Sequence, residues 1–152
     1  MSQYDNLKLD HQLCFALYAA THALTRAYRG GLEKAGLTYS QYLVMLVLWE
    51  EDGVSVGQIA RKLDLDSGTL TPMLKRLEVA GLVARRRNNQ DERVVEVTLT
   101  AQGRELEHEI AKVQNGVECK TGLSNEEFVQ LRSTLQRLLQ TMSADNEQAV
   151  AA

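Results

Sequence analysis

SVGQIARKLDLDSGTLTPMLKRLEVAGLVARRRNNQDERVVEVTL, residues 55–99, decides the fold. Ser55 is placed to cap a helix, with Gln58 reaching back three residues later. Val56, Ile59, Ala60 and Leu63 then fall on one helical face. The turn Asp64-Leu65-Asp66 follows, and Asp66 is a cap for a second helix. That helix puts Leu70, Met73, Leu74 and Leu77 inward, leaves Thr69, Thr71, Lys75 and Arg76 outside or on the flanks, and has Ser67 near its N-terminus. Gly81 ends it. Two helices joined by so short a turn form a helix-turn-helix, whose second helix enters a DNA major groove. Hydroxyls and cations such as those left outside contact phosphates and base edges. Pro72 leaves two alternatives: one long helix with a slight bend, or a helix capped by Thr71 with Pro72 at its first position.

After Gly81 the helical period gives way to alternation, so Leu82-Val83-Ala84 and Val94 to Leu99 read as two strands. The segment between them, Arg85 to Arg93, is too polar to bury and reads as the tip of a hairpin. A basic hairpin beside a recognition helix is a wing whose arginine enters a minor groove. Arg85, Arg86 and Arg93 are the candidate contacts, with Asp91 expected to hold the Arg93 side chain.

Charge distribution agrees. The 152-residue chain carries a net charge of −3, which by itself argues against a uniformly basic nucleic-acid binder. Residues 61–93, however, hold eight Lys/Arg against five Asp/Glu, a local balance of +3, and the remainder carries −6. The positive charge sits where phosphates would lie. No apolar run approaches a membrane span and the start MSQYDNLKLD has no apolar stretch of the secretory type, so a cytoplasmic protein without membrane contact is expected. Two cysteines in such a protein are not a disulfide framework; they are either inert or redox-active.

Asp10 is expected to cap a first helix running to about Lys34, with Leu13, Leu17, Ala20, Leu24 and Ala27 as its apolar stripe and Gly30-Gly31 loosening its end. Thr38 and Gln41 form a capping box for a second helix, Tyr42 to Trp49, apolar nearly all round and therefore buried. Thr100 caps the helix after the wing, with Leu106, Ile110, Val113 and Val117 inward and Asn115-Gly116 as a weak point. Ser124 and Glu127 cap the last helix, whose stripe is Phe128, Leu131, Leu135, Leu138, Leu139 and Met142; the tail from Ser143 is expected to fray. The terminal helices carry more apolar stripe than one winged region covers, which implies association with a second chain.

Leu77, Gly81, Leu82, Val83, Arg85, Asp91, Arg93, Val97, Leu99, Thr100 and Gly103 match the run LxxxGLVxRxxxxxDxRxxxVxLTxxG, and with it the whole chain resembles the winged-helix regulators of the MarR family. The resemblance implies a mainly α fold: a winged helix-turn-helix over residues 38–100, with N- and C-terminal helices at 1–37 and 101–145 interleaving into a homodimer. It implies a repressor of an inverted-repeat operator in double-stranded DNA. The run LCFALYAA, together with Tyr28 and Tyr39, is similar to the organic-hydroperoxide-sensing branch of that family, of the two-cysteine type. In that branch an N-terminal cysteine reacts with peroxide and two tyrosines hydrogen-bond it; the matching positions are Cys14, Tyr28 and Tyr39. Cys119 resembles the resolving cysteine, which pairs across the dimer. Cys14 and Tyr28 are fourteen residues apart on one expected helix, about 21 Å at ~1.5 Å per residue. Within a continuous helix they cannot touch, so any contact comes from the partner subunit.

Two rival readings differ in chemistry. One is a repressor released by a small aromatic ligand in a pocket lined by His11, Tyr18, His22 and Trp49. The other is a thiol peroxidase, but the peroxiredoxin signature has a proline and a threonine shortly before its cysteine, and the single proline here is Pro72. The three histidines are scattered and the cysteines are far apart in sequence, so the reading calls for no metal, no cofactor and no enzyme activity.

Overall fold

The computed structural model describes residues 3–151, with side chains described up to Ala144. The chain separates into two compact units, Met1–Val117 and Glu118–Ala152. After two short 3-10 turns, the first unit contains α1 (Leu13–Lys34), α2 (Tyr39–Glu50), β1 (Val54–Ser55), α3 (Val56–Leu63), α4 (Ser67–Val79), β2 (Val83–Arg87) and β3 (Val95–Leu99). Helix α5 (Ala101–Lys120) crosses the unit boundary, and α6 (Asn125–Ala151) fills the second unit. The fold is mainly α, with one small antiparallel sheet in the order β1-β3-β2: a winged helix-turn-helix flanked by helices. No helix among the described residues is long and apolar enough to cross a membrane.

Local chemistry starts most of the helices. Thr38 Oγ1 accepts from the Gln41 amide at 3.3 Å while Gln41 Oε1 accepts from the Thr38 amide at 2.9 Å. Ser55 with Gln58 and Ser124 with Glu127 repeat that reciprocal pairing. Asp66 Oδ1 accepts from the Thr69 amide at 2.8 Å and so starts α4 ahead of Pro72. The helix therefore runs through the proline as one element, the longer of the two alternatives, and Thr71 caps nothing. Asp64 takes a left-handed conformation (φ 52°) and ends α3, giving the tight turn between the two helices.

Several expectations fail for identifiable reasons. Asp10 does not cap α1. It lies in the 3-10 turn Leu9–His11, the helix starts at Leu13, and Gln12 precedes it without a side-chain cap. The preceding chain folds back on itself instead, with His11 Nδ1 2.9 Å from the Asp5 carbonyl. Gly30-Gly31 does not loosen α1; a Cβ on Gly31 would lie 2.6 Å from Val113 Cγ1, so Gly31 lets α5 pack close. Asn115-Gly116 does not interrupt α5, and α6 continues to Ala151 rather than fraying at Ser143. Strand β2 runs to Arg87, so the three arginines belong to the ladder rather than the tip. Strand β1, two residues long, pairs Val54 with Val97 and is too short to show as alternation.

The core of the first unit gathers Leu32, Met45, Leu48, Ile59, Leu70, Leu74, Leu77, Val83 and Val97, all almost fully buried. It takes only the C-terminal part of α1: Tyr28 and Leu32 are buried, whereas Leu13, Phe15 and Leu24 are exposed.

Two joints lock the winged region. At Gly103, an added Cβ would sit 2.1 Å from the Leu82 carbonyl oxygen. The Gly103 carbonyl accepts from Trp49 Nε1 at 2.9 Å, and Thr100 Oγ1 accepts from the Gly103 amide at 3.0 Å while donating to the Gly81 carbonyl. At Asp52, Oδ1 accepts from the amides of Leu99 (2.8 Å) and Gly53 (2.9 Å), and Oδ2 meets Arg104 Nη2 at 2.6 Å. Burial pushes the Asp52 carboxyl up, but the Leu99 amide, the Arg104 guanidinium and the Gly53 amide together hold it below its ordinary value.

Gly103→Ala should lower stability by about 1–3 kcal/mol, because backbone rather than a flexible side chain blocks the new methyl; denaturant unfolding measures it. Asp52→Asn probes the second joint. A carboxyl whose folded value is depressed stabilises above its unfolded value, and that contribution is lost as pH falls through the folded value. The melting-temperature gap between wild type and Asp52→Asn should be open near neutral pH and close in acid; a gap unchanged by pH would remove the role of the charge.

Candidate DNA interface and thiol site

Helices α3 and α4 and the hairpin β2–β3 border one concavity of about 480 Å³, lined among others by Arg61, Ser67, Thr71, Arg85 and Arg93. Ser67, Thr69, Thr71, Lys75 and Arg76 are all exposed on α4, opposite or beside the buried Leu70, Leu74 and Leu77. The Thr69 hydroxyl donates to Asp66 Oδ2 at 2.9 Å. Hydrogen bonds from the Thr69 amide and hydroxyl hold the Asp66 carboxyl below its usual range, so it stays an ionised cap.

The wing is tied to α4 through Arg85. Glu78 Oε2 accepts from Arg85 Nη2 at 2.8 Å and Nε at 3.1 Å, and Oε1 accepts from the Arg85 amide at 3.2 Å. The Arg85 guanidinium keeps the Glu78 carboxyl below its ordinary value. Arg85 is thus half-buried and engaged, whereas Arg86, Asp91 and Arg93 are exposed. At the tip, Asn88 Oδ1 accepts from the amides of Gln90 (2.7 Å) and Asp91 (3.2 Å), and the Asn88 side-chain amide donates to Glu96. Asp91 was expected to hold the Arg93 side chain. It accepts instead from the Arg93 backbone amide at 3.0 Å, because the turn brings that amide over the carboxylate. The Arg93 guanidinium forms no ion pair among the described residues.

The second group of candidate residues sits on α1, α2 and α5. Tyr28, Tyr39 and Tyr42 form a ring cluster with centroids 5.3–5.8 Å apart. The hydroxyls of Tyr28 and Tyr42 both donate to Gln114 Oε1, the latter at 2.7 Å. Burial pushes the Tyr39 hydroxyl up, so it remains a protonated donor at neutral pH. Cys14 is exposed in the first turn of the same continuous helix that carries Tyr28, and Cys119 is exposed near the end of α5. Fourteen helical residues separate Cys14 from Tyr28, about 21 Å.

Tyr42, Gln114, Arg61 and Glu78 escaped the sequence reading. Tyr42 had a signal, since Tyr39 and Tyr42 lie three apart and so share a helix face. Nothing in the sequence announces Gln114, 86 residues from Tyr28. The aromatic-ligand residues do not converge. Trp49 lines a groove of about 460 Å³ with Tyr42, Leu46 and Ile110. Tyr18 and His22 stack edge-on against each other (4.4 Å), and His11 bonds Asp5. No group of three or more metal-ligating side chains occurs among the described residues.

Comparison with known proteins agrees with this architecture. The family described as Transcriptional regulator SarA/Rot matches residues 26–110. The organic hydroperoxide resistance transcriptional regulator of Bacillus subtilis is 41% identical over 145 residues, covering 95% of this chain and 99% of that one. Reduced AbfR bound to DNA superposes with a TM-score of 0.77 at 37% identity, over 94% of this chain and 98% of that one. Disulfide-formed AbfR does so with 0.64 at 39% identity, over 89% and 95%; AbfR comes from Staphylococcus epidermidis. With its helix-turn-helix, its wing and relatives that span its length, the chain belongs to the MarR-type winged-helix transcriptional regulators, in the organic hydroperoxide resistance branch, and is a DNA-binding protein rather than an enzyme.

Proposed function

We propose that the protein is a cytoplasmic repressor that binds an inverted-repeat operator as a homodimer and leaves it when an organic hydroperoxide oxidises Cys14. The single observation that carries the reading is the tyrosine cluster. Tyr28 and Tyr39 pack ring against ring, 5.5 Å between centroids, on the same chain as an exposed thiol that a continuous helix keeps about 21 Å away. A second subunit that lays its Cys14 on that cluster completes the site. Exposed apolar residues support such pairing, Leu13, Phe15 and Leu24 on α1 and Leu131, Leu139 and Met142 on α6. Residues 1–37 and 101–145 serve as dimerisation helices, and 38–100 bind DNA. The Bacillus relative is named for organic hydroperoxide resistance, and AbfR occurs both reduced on DNA and in a disulfide form.

The chemistry balances without a cofactor. The Cys14 thiolate attacks the outer oxygen of the hydroperoxide. An S–O bond forms, the O–O bond breaks, and the alkoxide takes a proton and leaves as the alcohol. The cysteine is oxidised to a sulfenic acid and the hydroperoxide reduced. The thiol of Cys119 of the partner subunit then attacks the sulfenic sulfur; an S–S bond forms and the hydroxyl leaves as water with the thiol proton. Tyrosine hydroxyls stabilise the anionic sulfur, and the apolar surround favours alkyl over hydrogen peroxide. A disulfide needs its alpha carbons within ~7 Å. Closing it constrains the helices that carry the two cysteines and alters the half-site spacing of the winged regions.

On DNA, Ser67, Thr69, Thr71, Lys75 and Arg76 face the major groove. Arg93, with Arg86 beside it, works from the wing, while Arg85 holds the wing to α4 and Asp91 shapes the tip.

Cys14→Ser should remain on the operator in a gel shift with cumene hydroperoxide, whereas wild type is released. Cys119→Ser should still form the sulfenic acid, trapped by a dimedone-type reagent, yet give no linked dimer on a non-reducing gel. A Cys14→Ser protein released as readily as wild type would end the peroxide reading in favour of an aromatic effector. Arg93→Ala should weaken operator binding by about 1–3 kcal/mol with the dimer intact, and wild-type affinity should fall steeply with salt. Unchanged affinity in Arg93→Ala would remove the wing contact.

A further inference from the structure

Arg61 belongs to no contact assigned so far. It is exposed on α3, the first helix of the helix-turn-helix, and its guanidinium folds back along that helix: a Cβ added to Gly57 would meet Nη1 at 3.8 Å. Residues four apart are neighbours on a helix, and side chains lean toward its N-terminus, so the bare backbone at Gly57 leaves room for the guanidinium. Arg61 thereby lines the concavity of about 480 Å³ that α3, α4 and the wing border. Three arginines line it, and among the described residues no aspartate or glutamate does. Arg85 is matched by Glu78. Arg61 and Arg93 form no ion pair among the described residues, although the adjacent Lys62 meets Glu50 at 3.2 Å. Two guanidiniums from separate elements, with the Ser67 and Thr71 hydroxyls at the same concavity, make a positive field that an anion relieves.

The position of the concavity says which anion. A helix in a major groove and a wing in the next minor groove are separated on the DNA by one sugar–phosphate strand, which the protein must straddle. The concavity is the space between α4 and the wing. We propose that it seats a backbone phosphate of that strand, held by the Arg61 guanidinium from α3 together with Arg93 from the wing. A guanidinium presents paired N–H donors that match two phosphate oxygens. The Ser67 and Thr71 hydroxyls are further donors from α4. A phosphate contact positions the protein without reading sequence, so Arg61 sets affinity and register while α4 sets specificity. This inference rests on the reading that α4 and the wing occupy adjacent grooves.

The experiment uses the full-length reduced protein on two duplexes, one carrying an inverted repeat that the protein itself selects from random sequence and one unrelated. Arg61→Gln should weaken binding to both by the same factor, roughly three- to tenfold. It should also lower the slope of log affinity against log salt by about 1. Arg61→Lys keeps the charge and should restore that slope. Neutral methylphosphonates, placed one at a time along the strand, locate the contact. Wild type should lose affinity at the phosphate between the two grooves, Arg61→Gln should lose much less there, and both should respond alike elsewhere. If Arg61→Gln does not fold, Arg61→Ala carries the same expectations. Wild-type affinity and slope in the variant overturn the proposal. So does a loss on the selected duplex alone, which marks a base contact, or a loss with an unchanged methylphosphonate profile, which marks a general effect of charge. Failure of the underlying reading has its own signature: Arg93→Ala binds both duplexes like wild type, and no phosphate between the grooves is sensitive even in wild type.

Discussion

The absence of a side chain at Gly103 is the constraint on which the winged region depends. There α5 meets the Leu82 carbonyl at a distance no Cβ tolerates, and the indole of Trp49 on α2 bonds the Gly103 carbonyl. Thr100 binds across the same point to Gly81 and the Gly103 amide. Three elements therefore share one joint: α2, the root of the wing and the start of α5. Close-packed joints of this kind move as a unit rather than bending.

What could be foreseen follows a physical divide. Caps, turns and faces are local chemistry, so Thr38, Ser55, Asp66, Thr100 and Ser124 announce their helices within three or four residues. The recognition helix and wing were legible for that reason, and Gly103 was visible as the last residue of a motif. Partners across the fold were not. The Glu78–Arg85 tie joins a helix end to a strand, and it turns an arginine that looked free into a buttress. Asp91 sits two residues before Arg93, a spacing that fits a side-chain or a backbone partner equally well, and the turn selects the backbone. Asp10 failed because an earlier chain reversal competes with its cap. Tyr42 shares a face with Tyr39, but its link to Gln114 exists only once α2 and α5 pack.

Under the proposed reading the sensing site is incomplete in one chain for a geometric reason, the stiffness of α1. A helix of 22 residues carries Cys14 at one end and Tyr28 toward the other. The same length that separates them allows two antiparallel copies to bring each thiol to the other's tyrosines. Under the proposed reading, oxidation chemistry and dimer formation are then one requirement.

The wing tip has a further consequence. Asn88 and Asp91 fix its backbone through the amides of Gln90, Asp91 and Arg93, and Asn88 is anchored again by the Val94 carbonyl at 2.8 Å. Ordering a loop residue on binding costs about 1–2 kcal/mol of backbone entropy. A tip already folded in the free protein has met that cost in advance, so docking on a duplex immobilises chiefly side chains. Under the proposed wing contact, pre-organisation of this kind should raise affinity without adding a contact and let the exposed arginine discriminate by groove shape rather than by adapting to every groove it meets.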